Sequence, residues 1–177
     1  MLYIFTGNGK GKTTSALGQA LRAVGEGKRV LMVQFIKGPW KSGEDEVSVS
    51  HPTQTLGVFK LVKMGKGFVG ILDDVLPREE HEQAAEDALA FAAAQAESGN
   101  WDILILDEVN NAVSLGLISI GAVLDFLQTT SGKLQATILT GRDAPHEFID
   151  RADLVTEMRE VKHQYAEGIQ ARRGLEY

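Results

Sequence analysis

Apolar and polar positions follow two alternating rhythms along the chain. Nearly continuous apolar runs stand at Leu2-Tyr3-Ile4-Phe5, from Arg29 to Ile36, from Trp101 to Leu106 and from Gln135 to Thr140. Such short runs without polar alternation suit strands buried on both faces, as in a parallel sheet. Weaker strands are expected at Val58–Val62 and Asp153–Met158. Between the strands, apolar residues recur at helical spacing: Ala16, Leu17, Ala20, Leu21 and Val24, then Ala84 to Ala96, then Ile120, Val123, Leu124 and Leu127. The punctuation agrees. Gly25 and Gly27 end the first helix, Pro77 opens the second and Gly99 closes it, Ser119 caps the third and Gly132 ends it. Pro145 to Arg151 reads as a short helix. The alanine face of the second helix predicts close packing on a sheet. Strands alternating with helices, without repeat or linker, predict one domain over residues 1–177, three α/β layers with a mostly parallel sheet. The polar stretch from Pro39 to about Leu56 reads as a mobile surface loop. Phe68, set between glycines, is either a core anchor or an aromatic that faces a ligand.

Where the first strand meets the first helix, the sequence is Thr6-Gly7-Asn8-Gly9-Lys10-Gly11-Lys12-Thr13-Thr14. Glycines let successive N–H groups turn inward on an anion, and the helix N-terminus adds free donors and partial positive charge. Lys12 can reach phosphate oxygens and the Thr13 hydroxyl can ligate Mg²⁺. The strict phosphate-loop pattern wants glycine where Thr6 stands, but strand, glycine-rich turn, Lys-Thr and helix in this order still point to a nucleotide. A second element supports it: the run Ile103-Leu104-Ile105-Leu106 ends in Asp107-Glu108 and delivers carboxylates to the sheet edge that carries the loop. Lys37-Gly38 is expected at that edge, since α/β sites collect at the carboxyl ends of strands. Arg142, after the strand ending at Thr140, is suited to phosphate oxygens. The fold expected is therefore α/β of the P-loop NTPase-like (RecA-like) kind.

Composition narrows the chemistry. The 177 residues carry a net charge of −6, which gives no support to nucleic-acid binding. Without cysteine there is no disulfide, thiolate metal site or thiol nucleophile. No apolar run has the length of a membrane span, and the N-terminus reads as a core strand rather than a signal peptide, so a cytoplasmic location is expected. His51, His81, His146 and His163 are scattered and read as surface or structural residues. No Asn-Lys-x-Asp element for guanine is present, which favours ATP. Glu108 could activate water for hydrolysis or hold Mg²⁺ for a transfer. The residues alone lead to a P-loop nucleotide-dependent enzyme and leave the reaction open.

The motifs taken together, almost the whole chain in order, resemble one family. To the loop and Leu104–Glu108 are added Val33-Gln34-Phe35-Ile36-Lys37-Gly38, Gly67-Phe68, Leu139-Thr140-Gly141-Arg142, Ala144-Pro145, Ala152–Met158, Lys162-His163 and the ending Gly174-Leu175-Glu176-Tyr177. The resemblance is to the P-loop-type ATP:cob(I)alamin (corrinoid) adenosyltransferases. It implies that Co(I) of a corrinoid attacks C5′ of ATP and that triphosphate leaves, with no general base. It also implies a triphosphate lying in the loop in the reverse of the usual direction, with Thr6 part of that altered loop. On this reading the backbone of Gly7, Asn8, Gly9, Lys10, Gly11, Lys12, Thr13 and Thr14, with the Lys12 amine, holds ATP, and Asn8 helps position it. Thr13 and Glu108, supported by Asp107, hold Mg²⁺, or Mn²⁺ in its place. Arg142 neutralises the leaving group, and Phe68 packs under the corrin and keeps the lower axial ligand off cobalt. The resemblance further implies a flavoprotein reductase as electron donor and a homodimer. Two departures stand out: Gly70 replaces the tryptophan of the family's Gly-Phe-x-Trp pattern, and an N-terminal extension that some relatives fold over the corrinoid is not expected here. An ATP-hydrolysing switch and a non-catalytic ATP- or corrinoid-binding regulator are the competing readings.

Overall fold

The computed structural model describes residues 1–38, 40–46, 57–71, 74–163, 168 and 170–175. Among the described residues, six strands, β1 (Leu2–Thr6), β2 (Arg29–Gln34), β3 (Val58–Lys63), β4 (Ile103–Asp107), β5 (Ala136–Thr140) and β6 (Leu154–Glu157), form one sheet. The described residues also hold five α-helices: α1 (Lys12–Gly25), α2 (Arg78–Glu97), α3 (Val109–Ser114), α4 (Ile120–Thr129) and α5 (His146–Ile149). The sheet order is β3-β2-β4-β5-β1-β6, and all its pairings are parallel.

Side chains alternate across each strand, so the apolar runs divide between two cores. Phe5, Val30, Met32, Ile103, Ile105 and Ile138 face α1 through Ala16, Ala20, Ala23 and Val24. Ile4, Leu31, Val33, Leu104, Leu106 and Leu139 face the opposite way, against the Ala85, Ala88, Ala92 and Ala96 stripe of α2 and against α3 and α4. The stripe of methyl groups lets α2 lie close to the sheet, as its sequence predicts. The result is the expected three-layer α/β fold around a parallel sheet. Ser119 caps α4 as expected, its hydroxyl accepting from the Ala122 N–H at 3.1 Å.

Three local expectations are adjusted. β2 ends at Gln34 rather than Ile36: Phe35 N–H still donates to the Asp107 carbonyl, and the chain then bends so that the Ile36 carbonyl accepts from Gly67 N–H. The helix α3, immediately after the acidic pair, has six residues, too few to show a periodic face in sequence. Within the stretch read as a mobile surface loop, residues 40–46 form a tied turn with a 3₁₀ segment at Gly43–Glu46. The Lys63 amine there donates to the Trp40 carbonyl, the Ser42 hydroxyl and the Asp45 carboxylate, while Lys37 donates to Glu44 at 2.6 Å. Pro39, residues 47–56, and the last two residues of the Gly174–Tyr177 motif lie outside the described residues. Among the described residues no helix is long and apolar enough to cross a membrane.

Candidate active site

The loop after β1 is shaped by what it touches. Gly7 and Gly11 adopt φ of +93° and +122°, a region that side chains with a Cβ disfavour. A Cβ on Gly7 or Gly9 would also lie 2.5 or 2.8 Å from the Met158 carbonyl oxygen, because the loop is pressed against the chain leaving β6. Gly9 N–H donates to that oxygen at 2.6 Å, so this one donor of the expected set is already engaged. Thr6, where the strict pattern has glycine, is buried, and its hydroxyl accepts from Ala144 N–H at 3.2 Å. The residue off the pattern thus ties the start of the loop to the connection after β5.

Lys12 opens α1 and folds its ammonium into the loop, donating to the Gly7 and Gly9 carbonyls at 2.8 and 2.9 Å. Burial lowers its pKa below the usual lysine range; Glu108 pulls it back up and Arg142 pushes it further down. A cation held so close to neutral carbonyls, with little water, is poised to exchange them for phosphate oxygens.

Asp107, at the end of β4, is fully buried and accepts three hydrogen bonds, from Thr13 Oγ1 at 2.9 Å, Thr140 Oγ1 at 2.6 Å and Gln34 Nε2 at 3.0 Å. It therefore sets the Thr13 hydroxyl from behind. Glu108 follows in a left-handed conformation, φ 65°, its N–H donating to Thr140 Oγ1 at 2.9 Å. A non-glycine residue held there costs on the order of 1 kcal/mol or more and is typical of functional positions. Burial, and then the neighbouring Asp107 charge, push the Glu108 carboxyl up to about 7, against the opposing pull of Lys12, Lys37 and Arg142. Gly141, φ +130°, brings β5 so close to α3 that a Cβ would lie 2.6 Å from Asn111 Oδ1. That same Oδ1 accepts the Arg142 N–H, which fixes the turn and leaves the guanidinium exposed.

Two cavities open along this edge. One, of about 760 Å³, is lined by Asn8 to Thr14 together with Glu160, His163, Gly174 and Leu175. The other, of about 770 Å³, is lined by the apolar side chains of Trp40, Phe68, Val69, Ile71 and Leu115, set among polar ones such as Lys41, Lys63, Asn111 and Asp143. Lys12, Lys37, Glu108 and Arg142 belong to both. The structure thus brings Lys12, Thr13, Glu108 and Arg142 to one place, sets Gly7 and Asp107 behind them, and puts Phe68 across the shared wall, 46% exposed and facing the cavity rather than the core. Among the histidines, His163 reaches the phosphate-loop cavity, His81 is buried beside Asp74 at 3.0 Å, His146 is exposed, and His51 lies outside the described residues.

The residue-by-residue reading missed Thr140, Gln34 and Asn111, which hold the acidic pair and the arginine turn. They become neighbours only once β2, β4 and β5 are known to lie side by side. The sequence places Lys37 at this edge but gives no sign that it and Trp40 line the second cavity.

The sequence profile of the family described as ATP:corrinoid adenosyltransferase BtuR/CobO/CobP matches residues 1–177. The corrinoid adenosyltransferase of Escherichia coli (strain K12) is 36% identical over 177 residues, covering 100% of this chain and 85% of its own. Corrinoid adenosyltransferase CobA of Salmonella typhimurium (strain LT2) is likewise 36% identical, with the same coverage. The corrinoid adenosyltransferase of Pseudomonas aeruginosa is 36% identical over 100% of this chain and 83% of its own. Over its full length, then, the chain belongs to the ATP:corrinoid adenosyltransferase family and is a transferase that moves the adenosyl group of ATP to a corrinoid.

Proposed function

We propose that ATP binds in the loop cavity, the corrinoid in the apolar cavity, and that the reacting atoms meet at the wall of Lys12, Lys37, Glu108 and Arg142. The observation that carries this reading is that these four residues line both cavities. The triphosphate lies reversed in the loop, so that C5′ faces the second cavity. The Co(I) electron pair forms the Co–C5′ bond, the C5′–O bond breaks, and its electron pair leaves on the triphosphate. No proton moves, so no general base is needed. The work of the protein is to place the carbon and to stabilise charge as it develops on the leaving oxygen. Lys12 and Arg142 do this at the shared wall, joined by Lys37 once Glu44 releases it.

The donors near the loop fit a hard divalent cation: the Thr13 hydroxyl and the Glu108 carboxylate, with Asp107 behind Thr13. Mg²⁺ is commonly held by one or two carboxylates plus substrate phosphates. Bound there, it would neutralise phosphate charge, and it would return Glu108 to the ionised form. Phe68 supplies an apolar surface beneath the corrin that offers cobalt no axial donor, which makes Co(II) easier to reduce. A flavoprotein reductase as electron donor, a homodimer and a cytoplasmic setting complete the proposal.

The test is an anaerobic assay with ATP, Mg²⁺ and chemically reduced cobalamin. An alkyl-cobalt spectrum appearing together with free triphosphate is the expected result. Release of ADP and phosphate without alkylation would instead assign Glu108 to the activation of water.

A further inference from the structure

Trp40 is an indole on a prepared seat that is nevertheless left open. Its six-membered ring lies over the α-carbons of Gly38 and Gly67, which come from the segments after β2 and β3. A Cβ on Gly38 would stand 2.7 Å from Trp40 Cζ3, and one on Gly67 would stand 2.8 Å from Cη2. Its backbone is fixed by the Lys63 ammonium, which donates to the Trp40 carbonyl at 2.7 Å. Its ring lies 5.8 Å from that of Phe68, centroid to centroid, tilted by 30°. Despite this support Trp40 is 60% exposed and Phe68 46%, both on the wall of the apolar cavity. Two adjoining aromatic rings held in place by backbone yet left open to one cavity mark a ligand surface. Position 70 adds no side chain to it, being glycine at φ +67°.

We propose that Trp40 is a substrate-contacting residue that forms one continuous aromatic floor with Phe68 for the flat face of the corrin ring. The inference rests on the reading of this cavity as the corrinoid site. An indole and a phenyl ring side by side offer a broad apolar surface, which suits a macrocycle better than a single ring does. The floor discriminates by shape and apolar contact, while the charged wall opposite deals with ATP.

Two measurements test it. The first is hydroxyl-radical footprinting of the whole chain, free and with saturating hydroxocobinamide and Mg-ATP. Trp40 and Phe68 should both be protected, and Mg-ATP alone should protect neither. Protection of Phe68 without Trp40 would overturn the Trp40 assignment and leave the cavity reading standing. Protection of neither would overturn the cavity reading itself, and this inference with it. The second is steady-state kinetics of Trp40→Ala and Trp40→Phe with Co(I) supplied. Loss of a central aromatic contact should raise the corrinoid KM about tenfold, leave the ATP KM unchanged, and be largely recovered in Trp40→Phe. An unchanged corrinoid KM, or equal rises in both KM values as from a collapsed loop, would overturn the proposal.

Discussion

Around the phosphate loop, key polar groups are held by one another, the Lys12 ammonium by two carbonyls, the Asp107 carboxylate by three donors, the Thr140 hydroxyl by both Asp107 and Glu108, while Gln34 Oε1 is buried without a partner among the described residues. Across the wall of Lys12, Lys37, Glu108 and Arg142, the apolar cavity is built from connections instead. Its aromatic floor comes from the segments after β2 and β3, and its rings are open to solvent. The first region is arranged in advance for charge and anchored on strand ends. The second presents area and shape. On the proposed reading, the difference corresponds to the two tasks. A triphosphate is recognised by fixed donors and cations whose reorganisation would be costly, whereas a large, partly apolar ring is recognised by surfaces that exclude water. Substitutions in the two halves should therefore fail in different ways.

The largest expected effect breaks the polar half. Lys12→Ala should lower adenosylation by about 10²–10³-fold, the scale for removing one preorganised charge-stabilising group. The loss should be the same whether the assay begins from Co(II) or Co(I), because the leaving group is common to both. Wild-type kinetics in either assay would remove Lys12 from the triphosphate site.

Next comes Glu108→Gln, read through stability in the absence of metal and nucleotide. In the folded chain the Glu108 pKa is raised from an ordinary 4.5 to about 7. The unfolded chain therefore gives up this proton first. Its contribution to stability is fullest below pH 4.5, falls as pH rises from 4.5 to about 7, and is flat above. Glutamine removes the dependence. At about 1.4 kcal/mol per pH unit the variant should gain up to about 3 kcal/mol above pH 7, shrinking to nothing near pH 4.5. Denaturant unfolding across that range checks the slope, and equal stability of the two proteins at pH 8 would show that Glu108 is not buried against Asp107. Mg-ATP should reverse the order, stabilising the wild type more than the variant.

How much of each half could be read in advance follows from the same difference. The loop, the acidic pair and the arginine turn are contiguous in sequence, and each follows a strand whose apolar run is unmistakable, so their meeting at one edge is implied by a parallel sheet. Thr140 was not legible as a ligand of Asp107 because its place depends on β5 lying beside β4, and sheet order is not written in local periodicity. Trp40 was lost in a stretch that reads as a polar loop. Its significance rests on two glycines 29 positions apart in sequence that together form its seat. Phe68 was left between core and ligand because a lone aromatic among glycines carries no period. Its exposure beside Trp40 rules out the core anchor.

Phe68→Ala sharpens the apolar half. Removing the ring should slow turnover from Co(II) about tenfold or more, the scale for losing a buried aromatic contact. Most activity from supplied Co(I) should remain, since the floor assists the reduction rather than the attack. Equal loss in the two assays would mean that the ring only supports the loop. The Co(II) spectrum in the presence of ATP provides an independent readout, because a cobalt without a lower ligand differs in absorption from one that keeps it.

The smallest effect concerns Gly70. Its N–H donates to Asp74 Oδ2 at 2.8 Å, and the same carboxylate accepts from Leu76 N–H at 3.1 Å and pairs with buried His81 at 3.0 Å. Asp74 thus ties the Gly70 backbone, and Gly70 sits at φ +67° with nothing within 4 Å of where a Cβ would stand. Gly70→Ala meets no steric clash and should cost only the left-handed backbone, about 1 kcal/mol, or a fall in Tm of about 2–4 °C. Both KM values should stay near wild type. Tryptophan, the residue of the family pattern, meets the same backbone penalty, and its side chain starts from a backbone turned into the left-handed region. Gly70→Trp should therefore lower Tm by a similar amount and fail to restore corrinoid affinity in a Trp40→Ala background. If it did restore that affinity, an indole from either segment could complete the floor, and the seat on Gly38 and Gly67 would be one solution among two rather than the one this backbone requires.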